Sequence, residues 1–279
     1  MVRPGRTGQR HDITAARTHC RGALYAAAGR GLPTLADKGY AGTRIGIHTP
    51  IKGRHLAVDN TSYSMLLTAV WTLGERANGA VLYDAATGTV LHARTLDVPL
   101  LQQATELVRG ALPGCGFAAE RVGAHDSATP QFVSAPGYAH AWLNPENTEV
   151  SADALTSEPA VKLLVRHSGM TSGDMARALG PLLEGTVDLT YSTNNGLVEL
   201  SAHGVTKATG LATLAAEHGV DVGEIIAFGD MPNDVPMLRW AGHGVAMGNA
   251  HPAAIDVADE VTASHAEDGL AQVLERSWN

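Results

Sequence analysis

Apolar positions in SYSMLLTAVWTLGERA recur at three- and four-residue spacing. Met65, Leu66, Ala69, Val70 and Leu73 share one face, which predicts an amphipathic helix. Beyond it the pattern changes. AVLYD and TGTVLHARTL read as a hairpin turning near Thr87-Gly88. PLLQQATELVRGAL returns to helical spacing, and GFAAERV and AVKLLVRH read as strands, the second nearly all apolar on its inner positions. Residues 124–158 between them, rich in Ala, Pro, Ser and Asn, read as loops and short turns. TSGDMARALGPLLEG predicts a helix capped by Thr171 or Ser172, and VDLTYST with LVELSA a strand pair around Asn194-Asn195-Gly196.

From residue 205 strands and helices alternate. TKATGLATLAAEHGV predicts a helix closing at Gly219, EIIAFGD a buried strand and DVPMLRWAG a short helix. HGVAMGNA and ADEVTAS predict two more short strands, and HAEDGLAQVLERSW a last helix with Ser264 and Glu267 spaced for a capping box. At the other end, weakly periodic residues 1–30 allow a short helix through Ile13–Arg17 and Ala23–Ala28. LPTLADKGYAG then reads as a short strand ending at Asp37, and IGIHTPIKGRH as a second extended piece. Alternating strands and helices imply parallel βα units, so the fold class is α/β.

Composition changes this picture little. The chain has 279 residues, 44% hydrophobic and 17% charged, which suits one large domain or two ordinary ones. Cys20 and Cys115 form no CxxC, so a reducing cytoplasm is the expected location. No apolar run approaches the about 18 residues of a membrane span, and MVRPGRTGQRHD lacks the apolar stretch of a signal peptide. Charge is more informative. Residues 1–78 hold eleven Lys and Arg against four Asp and Glu, whereas the remainder holds nine against twenty-four; +7 and −15 give the net −8. A basic segment on an acidic body suits either a nucleic-acid-binding arm or two segments of different origin.

The candidate chemistry gathers in FGDMPNDVPML. Asp230 ends a strand and Asp234 opens the helix beyond it, so both carboxylates are expected in one crevice at the carboxyl end of a parallel sheet. Magnesium takes one or two protein carboxylates, several waters and a phosphate oxygen. Asn233 can add a hydrogen bond to a phosphate or to a ligand water. Lys207, in the first turn of the preceding helix behind Gly204 and Thr206, can meet a phosphate as a point charge, aided by the helix amino terminus. Taken singly, Asp230 would be an ordinary helix cap and Lys207 a solvated surface lysine.

GVTKATGLATL, IIAFGDMPNDVPML, AGHGVAMGNA and ADEVTASHAEDGLAQVLE resemble, in order and spacing, the haloacid dehalogenase (HAD) superfamily, in particular the Cof-type (subclass IIB) phosphatases. NGAVLYDAATGTVLHARTL is similar to that family at the entry to its cap, so the resemblance covers residues 79–279. It implies a partial HAD-like Rossmannoid core with an inserted α/β cap domain. Residues 79–200 would be the cap and 201–279 the carboxyl-terminal half of the core. It also implies a magnesium cofactor held by Asp230 and Asp234, catalytic roles for Lys207 and Asp230, and phosphate contacts from Lys207, Asn233 and Asn249. The partner would be a small phosphorylated substrate.

In that family an aspartate attacks phosphorus, and a second aspartate two residues on acts as acid and base, both in a DxDGT-like motif. Residues 1–78 contain only Asp12, Asp37 and Asp59, each isolated, so the motif is missing and activity is expected to be impaired. Asp37, ending a strand before a glycine, is the candidate for the nucleophile's place.

RHDITAAR, GLPTLADKGYAG, IGIHTPIKGRHLAVDN and the helix ending GERAN resemble instead the later part of a DDE insertion-sequence transposase, over residues 7–78. That resemblance implies a transposase-like segment of uncertain fold over 1–78, with Asp37 as the second metal carboxylate and Glu75 as the third. Trp71 and Leu82 stand where that family has an arginine and a lysine, and its first aspartate would fall before Met1. As a fragment, Asp37 reads as a turn residue, Glu75 as a solvated carboxylate, and His48 and His55 as incidental. The functional expectation is a magnesium-dependent phosphatase of reduced or no activity. The alternatives are a non-catalytic module binding magnesium and phosphate, or a transposase-derived remnant with weak nonspecific DNA binding through residues 1–78.

Overall fold

The computed structural model describes residues 77–84, 89–122, 131–140, 144 and 147–277, with backbone alone at the strands 34–35, 47–48 and 73–76. Asp12, Cys20, Asp37, His55, Asp59 and the helix expected near Ile13–Arg17 and Ala23–Ala28 lie outside the described residues, as do the side chains of His48 and Glu75.

In chain order the elements are β1 (Thr34–Leu35), β2 (Ile47–His48), β3 (Leu73–Arg76), β4 (Val81–Asp84), β5 (Val90–Ala93), α1 (Val98–Ala111), β6 (Gly116–Glu120), β7 (Phe132–Ser134), β8 (Asn147–Glu149), α2 (Ala152–Leu155) and β9 (Lys162–Arg166). There follow α3 (Ser172–Leu183), β10 (Val187–Thr190), β11 (Leu197–Ala202), α4 (Lys207–His218), β12 (Ile226–Gly229), α5 (Val235–Trp240), β13 (His243–Ala246), α6 (Pro252–Ile255), β14 (Glu260–Val261) and α7 (Gly269–Ser277). The chain divides into two compact units: Ala57–Gly219 with Met231–Met237, and Met1–Leu56 with Val220–Asp230 and Leu238–Asn279.

The first of these units carries a six-stranded sheet in the order β10-β11-β9-β6-β7-β8, antiparallel except for the parallel β7–β8 pair. Alternation along a strand separates its two faces. Leu163 and Val165 of β9 and Val198 and Leu200 of β11 join Leu101, Val108, Met175 and Leu179 of α1 and α3 in the main core. Leu164 and Leu197 pack with Ala118, Phe132 and Tyr138 in a second cluster. Both faces are therefore covered, which is why AVKLLVRH reads as almost continuously apolar. Thr171 caps α3 by accepting from the Asp174 N–H at 3.1 Å. Ser172, the other expected cap, is fully buried and its hydroxyl accepts from the Gly196 and Leu197 N–H groups. The loop-like stretch before β9 holds β7, β8 and α2, each too short to show a period.

A three-stranded antiparallel sheet, β3-β4-β5, completes this unit. It corrects the helix expected to run through Glu75. Leu73–Arg76 form a strand laddered on β4, with Leu73 opposite Asp84 and Arg76 opposite Val81. A ladder partner supplies hydrogen bonds that periodicity within one segment cannot register. The reversal between them runs through Ala77, Asn78 and Gly79, at φ 54°, 59° and 90°. Gly79 is required there. A Cβ on it would stand 2.2 Å from the Thr206 carbonyl oxygen and 2.9 Å from the Gly210 nitrogen, so the turn lies directly on the amino end of α4.

The second unit is a parallel sheet, β14-β13-β12-β1-β2. Thr34 and Leu35 of β1 pair with Ile226 and Ala227 of β12 on one side and with Ile47 and His48 of β2 on the other. Two pieces of the basic amino-terminal segment thus build the same sheet as the strand leading to Asp230. Ala227, Phe228, Val245, Ala246, Leu270, Val273 and Leu274 are buried there. The Ser264–Glu267 capping box forms as expected and precedes α7. Among the described residues no helix is long and apolar enough to cross a membrane.

Candidate functional site

Lys207 is the first residue of α4. Thr206 caps that helix, its hydroxyl accepting from the Thr209 N–H while the Thr209 hydroxyl accepts from the Thr206 N–H. At the other end Gly219 takes the left-handed conformation, φ 65°, that a glycine adopts without strain. Lys207 adds a full positive charge at the amino end of α4, the positive end of the helix dipole. The Lys207 ammonium donates to Asp234 Oδ1 at 2.5 Å, and both side chains are buried, Asp234 to 1% exposure.

Asp234 closes a single tight turn, Pro232–Asp234, immediately before α5 rather than opening that helix. Its Oδ2 accepts from the Met231 N–H at 2.9 Å, and its own N–H donates to the Met231 carbonyl. The carboxylate is locked into its turn while facing the lysine. Pro232 at the first turn position loses no hydrogen bond by lacking an N–H.

Asn233, beside it, is also buried and leads into a line of polar groups that the sequence reading did not include. Its Nδ2 donates to Asn78 Oδ1 at 3.4 Å, and Asn78 Nδ2 donates to Glu199 Oε2 at 2.8 Å. Glu199 pairs in turn with Lys162 Nζ at 3.0 Å, and Glu120 lies 3.9 Å from that ammonium. Burial pushes the Glu199 carboxyl up, but the Lys162 charge and hydrogen bonds from Lys162 and Asn78 hold it below its ordinary 4.5. Burial likewise pulls Lys162 down, and the Glu199 and Glu120 carboxylates raise it above 10.5. The pair is ionised in the fold. Both residues also feel the Lys207 charge. Asn233 Oδ1 is the exception in this network: it is buried and has no hydrogen-bond partner among the described residues.

The signal for the missed residues was present but faint. Glu199 is the single charge in LVELSA, and Lys162 opens the apolar run of AVKLLVRH, which Arg166 closes. Period two puts Glu199, Lys162 and Glu120 on the face opposite the main core. Nothing within either strand tells that the two charges meet. Asn78 marked only a change of composition in the sequence, whereas its left-handed backbone at the turn gives it a definite direction.

In the other unit, Asp230 follows β12 directly, and its carbonyl accepts from the His251 N–H at 2.7 Å. Asn249 follows β13, is exposed, and its Oδ1 accepts from the His265 N–H at 3.0 Å. Both residues stand beyond the carboxyl ends of parallel strands, where open α/β sheets bind ligands. His251 caps α6 through its ring nitrogen.

The side chains present suit magnesium as the family resemblance implies it. Asp234 offers a hard carboxylate and Asn233 an unpartnered amide oxygen, and magnesium keeps most of its shell as water. Among the described residues no group of three or more His, Cys, Asp or Glu forms a ready-made cage. An ion held through one or two carboxylates and waters needs none.

The sequence profile of the haloacid dehalogenase-like hydrolases matches residues 59–274. The Bacillus subtilis 5-amino-6-(5-phospho-D-ribitylamino)uracil phosphatase YitU is 44% identical over 83 residues, 30% of this chain and 31% of that protein. The Escherichia coli phosphatase YbjI, of the same description, is 37% identical over 92 residues, 33% of this chain and 34% of that protein. Each match therefore spans only about a third of the curated relative's length. Among solved structures, a sugar phosphatase of HAD subclass IIB superposes with a TM-score of 0.65 at 20% identity, covering 93% of this chain and 91% of that one. A Bacteroides thetaiotaomicron phosphatase of the HAD superfamily superposes with a TM-score of 0.62 at 23% identity, covering 93% and 87%. These superpositions establish the fold.

Proposed function

Because the chain belongs to the haloacid dehalogenase-like hydrolase family, we propose that it is a Cof-type, magnesium-dependent phosphatase of slow turnover acting on a small phosphorylated metabolite. The observation that carries this reading is the buried Lys207–Asp234 pair at the amino end of α4. Lys207 would neutralise the phosphate together with the helix amino terminus, and Asn233 and Asn249 would orient it. Asp230 and Asp234 would hold magnesium, which when bound supplies positive charge against the phosphoryl oxygens. The relatives named as phosphatases support a phosphorylated small molecule as substrate. We also read residues 79–200 as the cap and 201–279 as the later half of the core.

The nucleophile we propose is Asp37. Its support is the parallel pairing of β1 with β12. Asp37 stands two residues after Leu35 in the chain, as Gly229 stands two after Ala227 and just before Asp230. Its carboxylate would attack phosphorus as the bond to the leaving oxygen breaks. The family places an acid two residues further on, where this chain has Gly39. The leaving oxygen then departs without that proton donor, a loss of about 10²- to 10⁴-fold for a poor leaving group. Residues 1–78 are read as a segment of transposase-like origin.

The test is a paired assay on the full chain with magnesium. Hydrolysis of p-nitrophenyl phosphate, whose leaving group needs no acid, is expected to exceed hydrolysis of an alkyl phosphate by about 10²-fold or more. Asp37→Asn is expected to abolish both. Equal rates for Asp37→Asn and the parent chain, or no rate in either, refute Asp37 as nucleophile. Calorimetric magnesium binding without turnover would leave the non-catalytic binding module as the function. A salt-dependent shift of duplex DNA that disappears on removing residues 1–78 would favour the DNA-binding alternative, which rests on the +7 charge of that segment.

A further inference from the structure

The direction of the amides between Glu199 and Asn233 is set by chemistry. A carboxylate only accepts hydrogen bonds. Glu199, ionised and paired with Lys162, can therefore receive only the NH₂ end of Asn78. That turns Asn78 Oδ1 toward Asn233, which must answer with its own NH₂. Asn233 Oδ1 is left pointing away from the line, buried and without a partner among the described residues. An unpartnered buried carbonyl destabilises its surroundings, so a ligand that supplies a donor recovers that energy.

The anchor of this line is itself unusual. A buried ion pair is weak evidence for stability, because removing two charges from water offsets most of their attraction. Its position is informative: Glu199 sits on β11, paired on both sides within the six-stranded sheet, yet its side chain accepts a hydrogen bond from the β3–β4 turn. Asn78 at φ 59° takes a backbone conformation that asparagine tolerates better than most residues.

We infer that Glu199 and Asn78 are positioning residues that hold Asn233 Oδ1 as an obligate hydrogen-bond acceptor for a water on a bound divalent cation. The neighbour in sequence, the Asp234 carboxylate, favours a hydrated cation over a neutral donor at that spot. An ionised phosphate oxygen, itself an acceptor, cannot meet Oδ1; the second N–H of the Asn233 amide remains available to it. This inference rests on the reading of the site as magnesium-binding.

The experiment uses the full chain labelled with ¹³C and ¹⁵N. Magnesium alone is expected to move the Asn233 side-chain carbonyl carbon, and sulfate alone, an oxyanion that only accepts, to leave it in place. Calorimetry then compares magnesium affinity in variants. Asn78→Gly, which keeps the turn's backbone, is expected to weaken it about 3- to 10-fold, the range of one hydrogen bond. Asn78→Asp cannot donate to Glu199 and is expected to weaken it as well. Adding Glu199→Gln to Asn78→Asp lets the amide at 199 donate to the new carboxylate, reversing that bond while the carboxylate still accepts from the Asn233 NH₂, and affinity is expected to recover. A merely structural pair would not give that polarity-dependent recovery. If the parent chain binds magnesium while the carbonyl carbon stays put, or Asn78→Gly binds as tightly, the inference is overturned and the phosphatase reading stands. A carbonyl shift caused only by a phosphosugar also overturns it. If the parent chain binds no magnesium, the phosphatase reading falls and the inference with it. Should the variants fail to fold by circular dichroism, the carbon shift of the parent chain decides.

Discussion

Glu199 and Lys162 tie the pH behaviour of the fold to two buried residues. The Glu199 pKa lies below its unfolded value near 4.5, so its contribution to stability is complete above pH 4.5. It is lost as pH falls through the depressed folded value. The Lys162 pKa lies above 10.5, so its contribution is complete below pH 10.5 and is lost as pH rises through the raised value. Glu199→Gln removes the carboxylate and leaves Lys162 with Glu120 at 3.9 Å. The variant is expected to be less stable than the parent by about 3 kcal/mol at pH 7 in urea unfolding. The gap is expected to narrow as pH falls from 4.5 toward 3. A constant gap across that range would show that Glu199 carries no shifted titration.

At the scale of elements, the site depends on how the β3–β4 turn meets the first turn of α4. Gly79→Ala would set a methyl group against the Thr206 carbonyl at 2.2 Å, at a φ of 90° that alanine disfavours. Left-handed strain and overpacking together are expected to cost about 2–4 kcal/mol. Because the displaced element carries Lys207, phosphate affinity measured by calorimetry is expected to fall with it. A variant with unchanged melting temperature and phosphate affinity would refute this coupling. The α3 cap, the Gly219 end of α4 and the Ser264 box were legible because capping is local chemistry within four residues. β3 was misread as helix end because its hydrogen bonds lie across the turn on β4.

At the scale of the molecule, β1 and β2 make the amino-terminal segment part of the parallel sheet. Deleting Met1–Leu56 would strip β12 of its neighbour and leave Ala227 and Phe228, both buried, on an open edge strand. The truncated chain is expected to aggregate on size exclusion, whereas a dispensable appendage would leave a soluble, monodisperse protein. The transposase resemblance concerns the origin of these residues, and their pairing concerns their present structural use; the two are independent.

Asp230, Asn233 and Asp234 stood out as candidates because they recur at short spacing after one apolar strand, and Lys207 because it opens a helix. The α/β class followed from alternating periods for the same reason: each period is a property of one segment. Tertiary structure alone decided that Lys207 and Asp234, 27 residues apart, share one hydrogen bond. It alone joined Asn78 to Glu199 across 121 residues and set β1 beside β12. Hydrogen bonds and ion pairs act over a few ångströms, and only the folded chain brings such distant residues within that range.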